Sequence, residues 1–483
     1  MISFLIGLAA LIAGYFLYGS IVERVFRPDN RPTPAQERAD GVDFMVLPTR
    51  KVFMIQFLNI AGTGPIFGAI MGAKFGPSSY LWIVLGSIFT GAVYDYMSGM
   101  LSMRNGGVGY PELVGKYLGK RMRGVALVFT LFFIILVGAV FVYSPALILS
   151  FFYDNDLLWI IIIFGYYVIA TLLPIDKVIG RIYPVFGAAL LFMAVALFVM
   201  LCVKMPNLPE VWDSLDNMMP QEAAEANPIY PCLFITIACG AISGFHATQS
   251  PMMARCIATE RHGRRVFYGA MITEGIVALI WAAVGSYFFY ASPTPGYQEM
   301  EVATGYATAA PKIVALVTQD WLGLLGGILA VMGVIVAPIT TGDTALRSAR
   351  LIVADWLKID QRQKAKRLYI SIPIFLFSLL LLLWQIENPE GFNVIWQYFG
   401  WGNQVLSVIG LWTITVYLAG ENKCYWVTLL PAMFMTCVCI TFLCVSKQAF
   451  AIDYTIGCIA GVTAMAATTI LFFTHLAKKR AIK

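Results

Sequence analysis

Charged side chains are scarce in this sequence: Asp, Glu, Lys and Arg together make up 12% of its 483 residues. Soluble domains carry about 25% of such residues, and a soluble fold needs a polar exterior that this chain cannot supply. Hydrophobic residues reach 59%, and the mean hydropathy is +0.76. The composition therefore excludes a soluble enzyme and makes the lipid bilayer the solvent in which the chain folds.

Histidine is also rare, with three residues, and the nine cysteines include no CxxC pair. The cysteines lie mostly inside apolar runs, where a free cysteine acts as a small packing residue, so neither a disulfide framework nor a cysteine metal site is indicated. No Ser–His–acid set and no phosphate-binding loop stands out, and we expect no enzymatic activity. An alternative stays open, in which His246 and nearby methionines hold haem or a metal in a membrane redox protein.

Apolar stretches of about 20 residues, the length that crosses a bilayer as a helix, occur thirteen times. The first has no basic segment before it and is long enough to span, so we interpret it as a transmembrane helix rather than a cleaved signal. The predicted spans lie near residues 2–22, 52–73, 78–103, 124–152, 157–174, 183–204, 230–254, 267–290, 322–343, 369–386, 394–418, 425–446 and 452–475.

Lysine and arginine test this count, because they are enriched in cytoplasmic loops. With thirteen spans, 29 of the 33 basic residues fall on one side. The other side keeps four: Lys74, Lys204, Lys312 and Lys447. We therefore predict a multi-pass inner-membrane protein with its N-terminus outside and its C-terminus in the cytoplasm. The net charge of +6 then reflects orientation rather than nucleic-acid binding.

Two of the thirteen stretches are interrupted in mid-membrane. The second reads NIAGTGPIFG from residue 59, and the seventh reads ACGAISGFHATQSP from residue 238. Proline removes an amide donor, and glycine lowers the cost of leaving helical geometry. Paired breaks at corresponding positions point to a transporter binding site. For either stretch alone, glycines that merely allow close helix packing are the alternative.

The positions of these breaks indicate an inverted repeat. If the first span is an addition, the broken helices are the first and sixth of ten core helices, and they cross the membrane in opposite directions. This is the arrangement of a five-plus-five inverted repeat with its site at the midplane. The predicted units are an extra helix at 1–22, repeats at 52–204 and 230–418, and two extra C-terminal helices at 425–475. The free N-termini of half-helices favour an anionic substrate.

Three acidic residues are predicted inside spans, where an ionised side chain costs on the order of 3 kcal/mol. Asp95, Glu274 and Asp343 are therefore candidates for ion coupling or proton binding. Asp343 has an alternative as an i,i+4 partner of Arg347, and Glu274 as a partner of the basic loop two turns away. Asp95 has no basic neighbour at helical spacing within its span.

The coupling ion stays open at this stage. His246 is the one histidine well inside the core, and its titration range suits proton coupling; a lone buried histidine is also often a structural residue. If any residue binds a metal, His246 is the candidate. Thr340 and Thr341 offer hydroxyl oxygens to a sodium ion that unwound carbonyls near residues 61–62 would also hold. Proton and sodium are both consistent with these residues.

Five short motifs together resemble the carbon starvation protein A (CstA) family. They are Phe57–Pro65, Gly91–Met97, Cys239–His246, Gly342–Thr344 and Phe399–Gln404, so the resemblance runs from about residue 50 to about residue 415. It implies an all-α, amino acid–polyamine–cation-like (LeuT-type) fold and the import of peptides or pyruvate. The resemblance also implies which residues line the substrate site, with Asp95 and Asp343 in support: Gly62, Thr63, Gly64, Pro65, Ser243, Gly244, Phe245 and His246.

The sequence departs from the family just before the first break. Two histidines that the family usually has there are replaced by Ile55 and Gln56, and Asn59 is larger and more polar than the usual small residue. Any role of those histidines does not carry over to this chain.

Overall fold

The computed structural model describes residues 1–41, 43–150, 153–172, 175–293, 297, 310–359, 363–388 and 391–481. Within these ranges every regular element is a helix, which confirms the predicted all-α class. Arg362 and Lys483, which belong to the basic residues counted above, lie outside the described residues.

Seventeen helices form the framework of the described part of the chain. Four π-helical turns interrupt or extend them: Gly64–Gly68 begins α3, Ser87–Gly91 joins α4 to α5, Arg264–Tyr268 precedes α12, and Tyr287–Ala291 follows it. The helices are α1 (Ile2–Phe26), α2 (Thr49–Ile60), α3 (Gly64–Ala73), α4 (Ser78–Gly86), α5 (Ala92–Arg104), α6 (Tyr110–Leu118), α7 (Lys120–Leu149), α8 (Asp156–Leu172), α9 (Ile175–Lys204), α10 (Ile229–Thr236), α11 (His246–Ala254), α12 (Gly269–Ser286), α13 (Ala310–Leu357, with a kink at Gly323), α14 (Lys364–Glu387), α15 (Gly391–Gly420), α16 (Trp426–Val445) and α17 (Tyr454–Ala481).

Eight helical segments of the described chain are long and apolar enough to cross a membrane, and the bent pair α2–α3 makes a ninth. The predicted count of thirteen spans therefore stays a prediction. Of the remaining predicted spans, one corresponds to the shorter apolar helix Asp156–Ala170, and another is interrupted between α10 and α11. The chain is nonetheless a multi-pass membrane protein.

The first helix packs along the face formed by α4 and α12. A Cβ atom built on Gly7 would lie 3.1 Å from side-chain atoms of both Leu279 and Val84. One built on Gly14 would lie 2.6 Å from the Ile88 side chain. Glycine permits this close approach of helix backbones, as in other membrane interfaces. The helix predicted as an addition is thus closely packed against the helices that carry Asp95 and Glu274.

Arg104, at the end of α5, joins several elements at the end of the bundle where α1 terminates. Its Nε and Nη2 donate to the two carboxylate oxygens of Glu260, both at 3.0 Å. Nη2 also donates to the Arg27 carbonyl oxygen at 2.7 Å, and Nη1 donates to the Tyr417 hydroxyl at 3.2 Å. The nearby Lys423 ammonium donates to the Phe26 carbonyl at 2.6 Å, and burial lowers its pKa to about 8. These contacts fix α1 to α5, α15 and the segment that follows α11.

Candidate functional site

The first break separates α2 from α3, whose axes differ by 56°. α2 ends at Ile60, and Pro65 is the second residue of α3, a position where the missing N–H costs no helical hydrogen bond. The Thr63 carbonyl accepts from the N–H groups of Ile66 and Phe67 at 3.2 and 2.7 Å. Gly62 and Thr63 thus lie in the non-helical connection, as the sequence predicts.

The second break lies between Thr236, which ends α10, and His246, which begins α11. Gly240 has a φ of +89°, in the left-handed region that favours glycine. Side chains of α4 and of the π turn after it satisfy carbonyls that the break leaves without a helical partner. Trp82 Nε1 donates to the Ile237 carbonyl at 3.2 Å, and Ser87 Oγ donates to the Gly240 carbonyl at 2.7 Å.

The two breaks pack directly against each other. A Cβ atom built on Gly64 would lie 2.2 Å from the Cβ atom of Cys239, and one built on Gly68 would lie 2.9 Å from the Thr236 carbonyl oxygen. From the other side, a Cβ atom on Gly240 would lie 3.5 Å from the Cα atom of Pro65. The residues predicted from the two separate stretches therefore meet in one place.

His246 lies between two carboxylates that come from different helices. Its Nδ1 atom is 3.0 and 2.9 Å from the two oxygens of Asp95, and its Nε2 atom is 3.4 Å from Glu274 Oε2. All three side chains have 0% exposure. The sequence selected these three residues one by one, and the fold assembles them into a cluster, which we call the acid–histidine triad.

A π turn comes shortly before each carboxylate of the triad. Asp95 lies four residues after the turn that ends at Gly91, and Glu274 lies six residues after the turn that ends at Tyr268. A π turn adds a residue to the helical repeat and redirects the side chains that follow, and such turns are frequent at functional sites. The two turns help to aim carboxylates from α5 and α12 at one imidazole.

The remaining predicted ion-coupling residues lie on α13 and not in the triad. Asp343 Oδ1 is 3.7 Å from Arg347 Nη2, so the i,i+4 pair offered as an alternative is present in the structure. Thr341 Oγ1 donates to the Leu58 carbonyl at 2.9 Å, across to the end of α2. Thr340 Oγ1 is within 3.0 Å of two carbonyl oxygens of its own helix. Thr341 thus contacts the last turn of α2, which leads into the first break.

Asn403 of α15 is a residue that sequence reasoning did not assign to the site. Its Oδ1 atom accepts from the Phe245 N–H at 2.8 Å and from the Ser243 hydroxyl at 3.1 Å. It lies in the Phe399–Gln404 motif, so the motif itself was the available signal. Gln404 Nε2 donates to the Phe234 carbonyl at 3.1 Å, which adds a second contact from α15 to the broken helix.

Aromatic rings from α7, α15 and the unwound segment before α11 line the region beside Gly62. The ring of Phe399 stacks on Phe133 with centroids 5.3 Å apart and lies 5.7 Å from Phe141. Phe133 lies 5.9 Å from Phe245, a predicted site residue. A Cβ atom on Gly62 would lie 2.9 Å from the Phe141 ring. Aromatic packing is common in apolar spans, and periodicity alone does not separate these rings from ordinary core.

Three polar side chains of the first break are buried without a hydrogen-bond partner for some of their atoms, counted over the described residues. These atoms are Gln56 Oε1, both amide atoms of Asn59, and Thr63 Oγ1. Buried polar atoms are nearly always satisfied by protein, water or ligand, so this end of α2 has hydrogen-bonding capacity available to a polar molecule. Gln56 and Asn59 are the residues at which the sequence departs from the family it resembles.

No group of three or more His, Cys, Asp or Glu side chains in the described part of the chain is arranged to hold a metal ion.

Comparison with known proteins identifies the family. The family described as carbon starvation protein CstA matches residues 1–150, 142–321 and 294–442, which overlap to cover most of the chain. The chain belongs to the CstA family. Among similar proteins, an uncharacterized membrane protein of Haemophilus influenzae is 43% identical over 341 residues, covering 60% of this chain and 91% of that protein. A Campylobacter jejuni protein named peptide transporter CstA is 28% identical over 553 residues, covering 87% of this chain and 76% of its own length.

The fold of this CstA family member is similar to that of solved transporters. A manganese transporter of Eremococcus coleocola superposes with a TM-score of 0.58 and 11% identity, covering 91% of this chain and 99% of the transporter. At that identity the likeness concerns the fold alone. It confirms the LeuT-like architecture that the resemblance implied, and together with the relatives it makes this chain a membrane transport protein.

Proposed function

We propose that this protein is a secondary active importer of a small carbon source, a peptide or a pyruvate-like carboxylate, coupled to the proton gradient. The observation that carries the proposal is the acid–histidine triad, buried at the start of α11 where the chain leaves the second break. Polar and ionisable groups buried in a membrane are costly and are usually retained for function. No haem or resident metal enters this proposal.

The charges of the triad give the reason for preferring a proton. With both carboxylates ionised and the imidazole neutral, two buried charges would lack compensation, at a cost of several kcal/mol per ion. A proton on His246 gives each carboxylate a cationic donor, and a second proton on Asp95 or Glu274 makes the cluster neutral. Protons that enter and leave this cluster therefore change the charge beside the unwound segment by whole units, which is what coupling requires.

The substrate class rests on the relatives and on the donors beside the breaks. Proteins named peptide transporter CstA align over most of this chain, and peptides and pyruvate share a carboxylate. The exposed amide groups at the start of a half-helix attract such an anion, and the unpartnered Asn59 Nδ2 and Thr63 Oγ1 are donors that can supply further hydrogen bonds to it. The residues proposed to line the substrate site are Gly62, Thr63, Gly64, Ser243, Gly244, Phe245 and His246.

Sodium is the competing coupling ion. The observation in its favour is the contact between the Thr341 hydroxyl and the Leu58 carbonyl, because hydroxyl and carbonyl oxygens are the ligands that hard cations prefer. Thr341→Val removes that hydroxyl at nearly constant volume, and Thr340→Val makes the same change one residue away. Under proton coupling, both variants retain pH-driven uptake.

Uptake into proteoliposomes tests the function. We expect labelled pyruvate or a labelled dipeptide to accumulate when the outside is made acidic, and to equilibrate without accumulation when the pH gradient is collapsed. Replacing external sodium with choline leaves uptake unchanged under this proposal. Accumulation that needs sodium and ignores the pH gradient would assign coupling to the Thr341 region, and no gradient-driven uptake of either compound would contradict the proposed function.

The proposed orientation places the N-terminus outside and the C-terminus in the cytoplasm of a cell inner membrane. Glu222 is exposed in the long acidic segment after α9, and Cys424 is exposed between α15 and α16. We expect a membrane-impermeant maleimide added to spheroplasts to label the Glu222→Cys variant at residue 222 and to spare Cys424, with peptide mass spectrometry as the readout. Labelling of Cys424 before permeabilisation would reverse the orientation.

A further inference from the structure

The unwound segment from Ile237 to Phe245 leaves backbone groups that no helix satisfies. The carbonyl oxygens of Ile237 and Gly240 accept hydrogen bonds from the Trp82 and Ser87 side chains. The Phe245 N–H donates to the side-chain oxygen of Asn403, on another helix, at 2.8 Å. A buried N–H without a partner is costly, so this one contact fixes the residue immediately before His246.

Asn403 uses both ends of its amide on the same segment. Oδ1 accepts from the Phe245 N–H and the Ser243 hydroxyl, and Nδ2 lies 3.3 Å from Cys239 Sγ. The backbone N–H decides the orientation of the amide, because the reversed amide would place an NH₂ group against it. The side chain has 0% exposure, so its bonds do not compete with bulk solvent.

The backbones of the two elements are also in contact at this point. A Cβ atom on Gly244 would lie 2.2 Å from the Asn403 carbonyl oxygen and 2.3 Å from the Ser407 backbone nitrogen. Glycine at position 244 therefore permits the close backbone contact, and the Asn403 side chain stabilises it through hydrogen bonds. The position of the unwound segment is defined relative to α15 at both backbone and side-chain level.

We propose that Asn403 is a positioning residue, which holds the unwound segment in the shape that receives substrate and thereby places His246 between its two carboxylates. The statement that this shape receives substrate rests on the proposed function. The mechanical part, that Asn403 holds the segment closed around Cys239, stands on the contacts alone. The two parts have separate readouts.

Three variants separate positioning from general stability. Asn403→Leu has a similar volume and no hydrogen-bonding atoms. Asn403→Asp keeps both acceptor contacts and loses the donor toward Cys239. Ser407→Ala is the matched control, because the Ser407 hydroxyl bonds within its own helix, to the Gln404 carbonyl at 2.7 Å and to Gln404 Oε1 at 3.2 Å.

The first readout is the alkylation rate of Cys239 by N-ethylmaleimide in the full-length protein in nanodiscs, measured by peptide mass spectrometry. Cys239 and Cys439 are both buried, at 4% and 3% exposure, and Cys239 lies in the unwound segment whereas Cys439 lies in α16. We expect Asn403→Leu to raise the Cys239 rate roughly tenfold or more, since a buried donor loses its partner, with Cys439 unchanged. Asn403→Asp and Ser407→Ala should stay near the parent rate. An unchanged Cys239 rate in Asn403→Leu, or equal increases at both cysteines, would overturn the proposal.

The second readout is substrate uptake in proteoliposomes. We expect Asn403→Leu to raise KM roughly tenfold or more and Ser407→Ala to match the parent protein. If the parent protein transports neither pyruvate nor dipeptide, the proposed function is contradicted. The Cys239 alkylation rate then still tests whether Asn403 holds the unwound segment in place. An unchanged KM in Asn403→Leu, with an active parent, contradicts the positioning role.

Discussion

Replacing His246 with asparagine is expected to abolish proton-driven accumulation of substrate. Asparagine can still hydrogen-bond toward Asp95, but it carries no proton charge and does not reach Glu274. Without a proton carrier at this position the coupled step is lost, and we expect the rate of accumulation to fall about 100-fold or more, which corresponds to about 3 kcal/mol or more in the barrier of that step. The measurement is initial uptake into proteoliposomes under an inward proton gradient.

A second substitution in the triad distinguishes a loss of coupling from a failure to fold. Glu274→Gln preserves the shape of the side chain and removes its charge, so the protein is expected to bind substrate and to exchange labelled for unlabelled substrate at near the parent rate. Net accumulation against a gradient should be lost. The matched control is His475→Asn, because His475 is exposed on α17. Full accumulation by either His246→Asn or Glu274→Gln would refute the role assigned to the triad.

Replacing Gly64 with alanine is expected to disrupt the contact between the two breaks. The new methyl group would lie 2.2 and 2.3 Å from the Cβ and Sγ atoms of Cys239, so one of the broken helices has to move. Overpacking of this kind costs about 1–3 kcal/mol, and here it also displaces the substrate-lining residues. We expect a lower melting temperature in detergent and a loss of most transport.

The variant allows a compensating change. Cys239→Gly removes both clashing atoms, so Gly64→Ala combined with Cys239→Gly should recover part of the stability and activity that Gly64→Ala loses. The matched control is Gly165→Ala in α8, where a Cβ atom meets nothing within 4 Å; this change is expected to be neutral or to stabilise the helix by up to about 1 kcal/mol. If Gly64→Ala behaves like Gly165→Ala, the two breaks are not packed as described.

Much of the architecture follows from local chemistry. Glycine and proline in mid-span mark both breaks, because their backbone preferences act within a few residues and need no tertiary contact. The structure has α2 ending at Ile60 and α11 beginning at His246, within the two stretches that the sequence singles out.

The grouping of the site residues depends on tertiary contacts that a single sequence does not contain. Asp95, His246 and Glu274 each attract attention as ionisable residues in apolar surroundings. Nothing in their spacing says that they touch, because their separations of 151 and 28 residues bear no relation to any helical period. The same limit explains Asp343: the sequence offered a functional role and a pair with Arg347, and the 3.7 Å contact favours the pair.

Asn403 illustrates a different limit. Its motif belongs to the family resemblance, yet an asparagine in an apolar helix also suits a helix–helix hydrogen bond of no functional consequence. Its meaning becomes visible only when the partner is known to be the N–H of Phe245, freed by a break 158 residues earlier. Polar residues in a span acquire a role from the backbone groups opposite them.

Substrate-driven proton movement tests the account most directly. Proteoliposomes that contain a trapped pH-sensitive dye are given an inward gradient of pyruvate or dipeptide, with no initial pH gradient and no sodium. The account predicts acidification of the interior with the parent protein and none with Glu274→Gln, although both bind substrate. Substrate entry without acidification in the parent protein, or equal acidification in the two proteins, would contradict it.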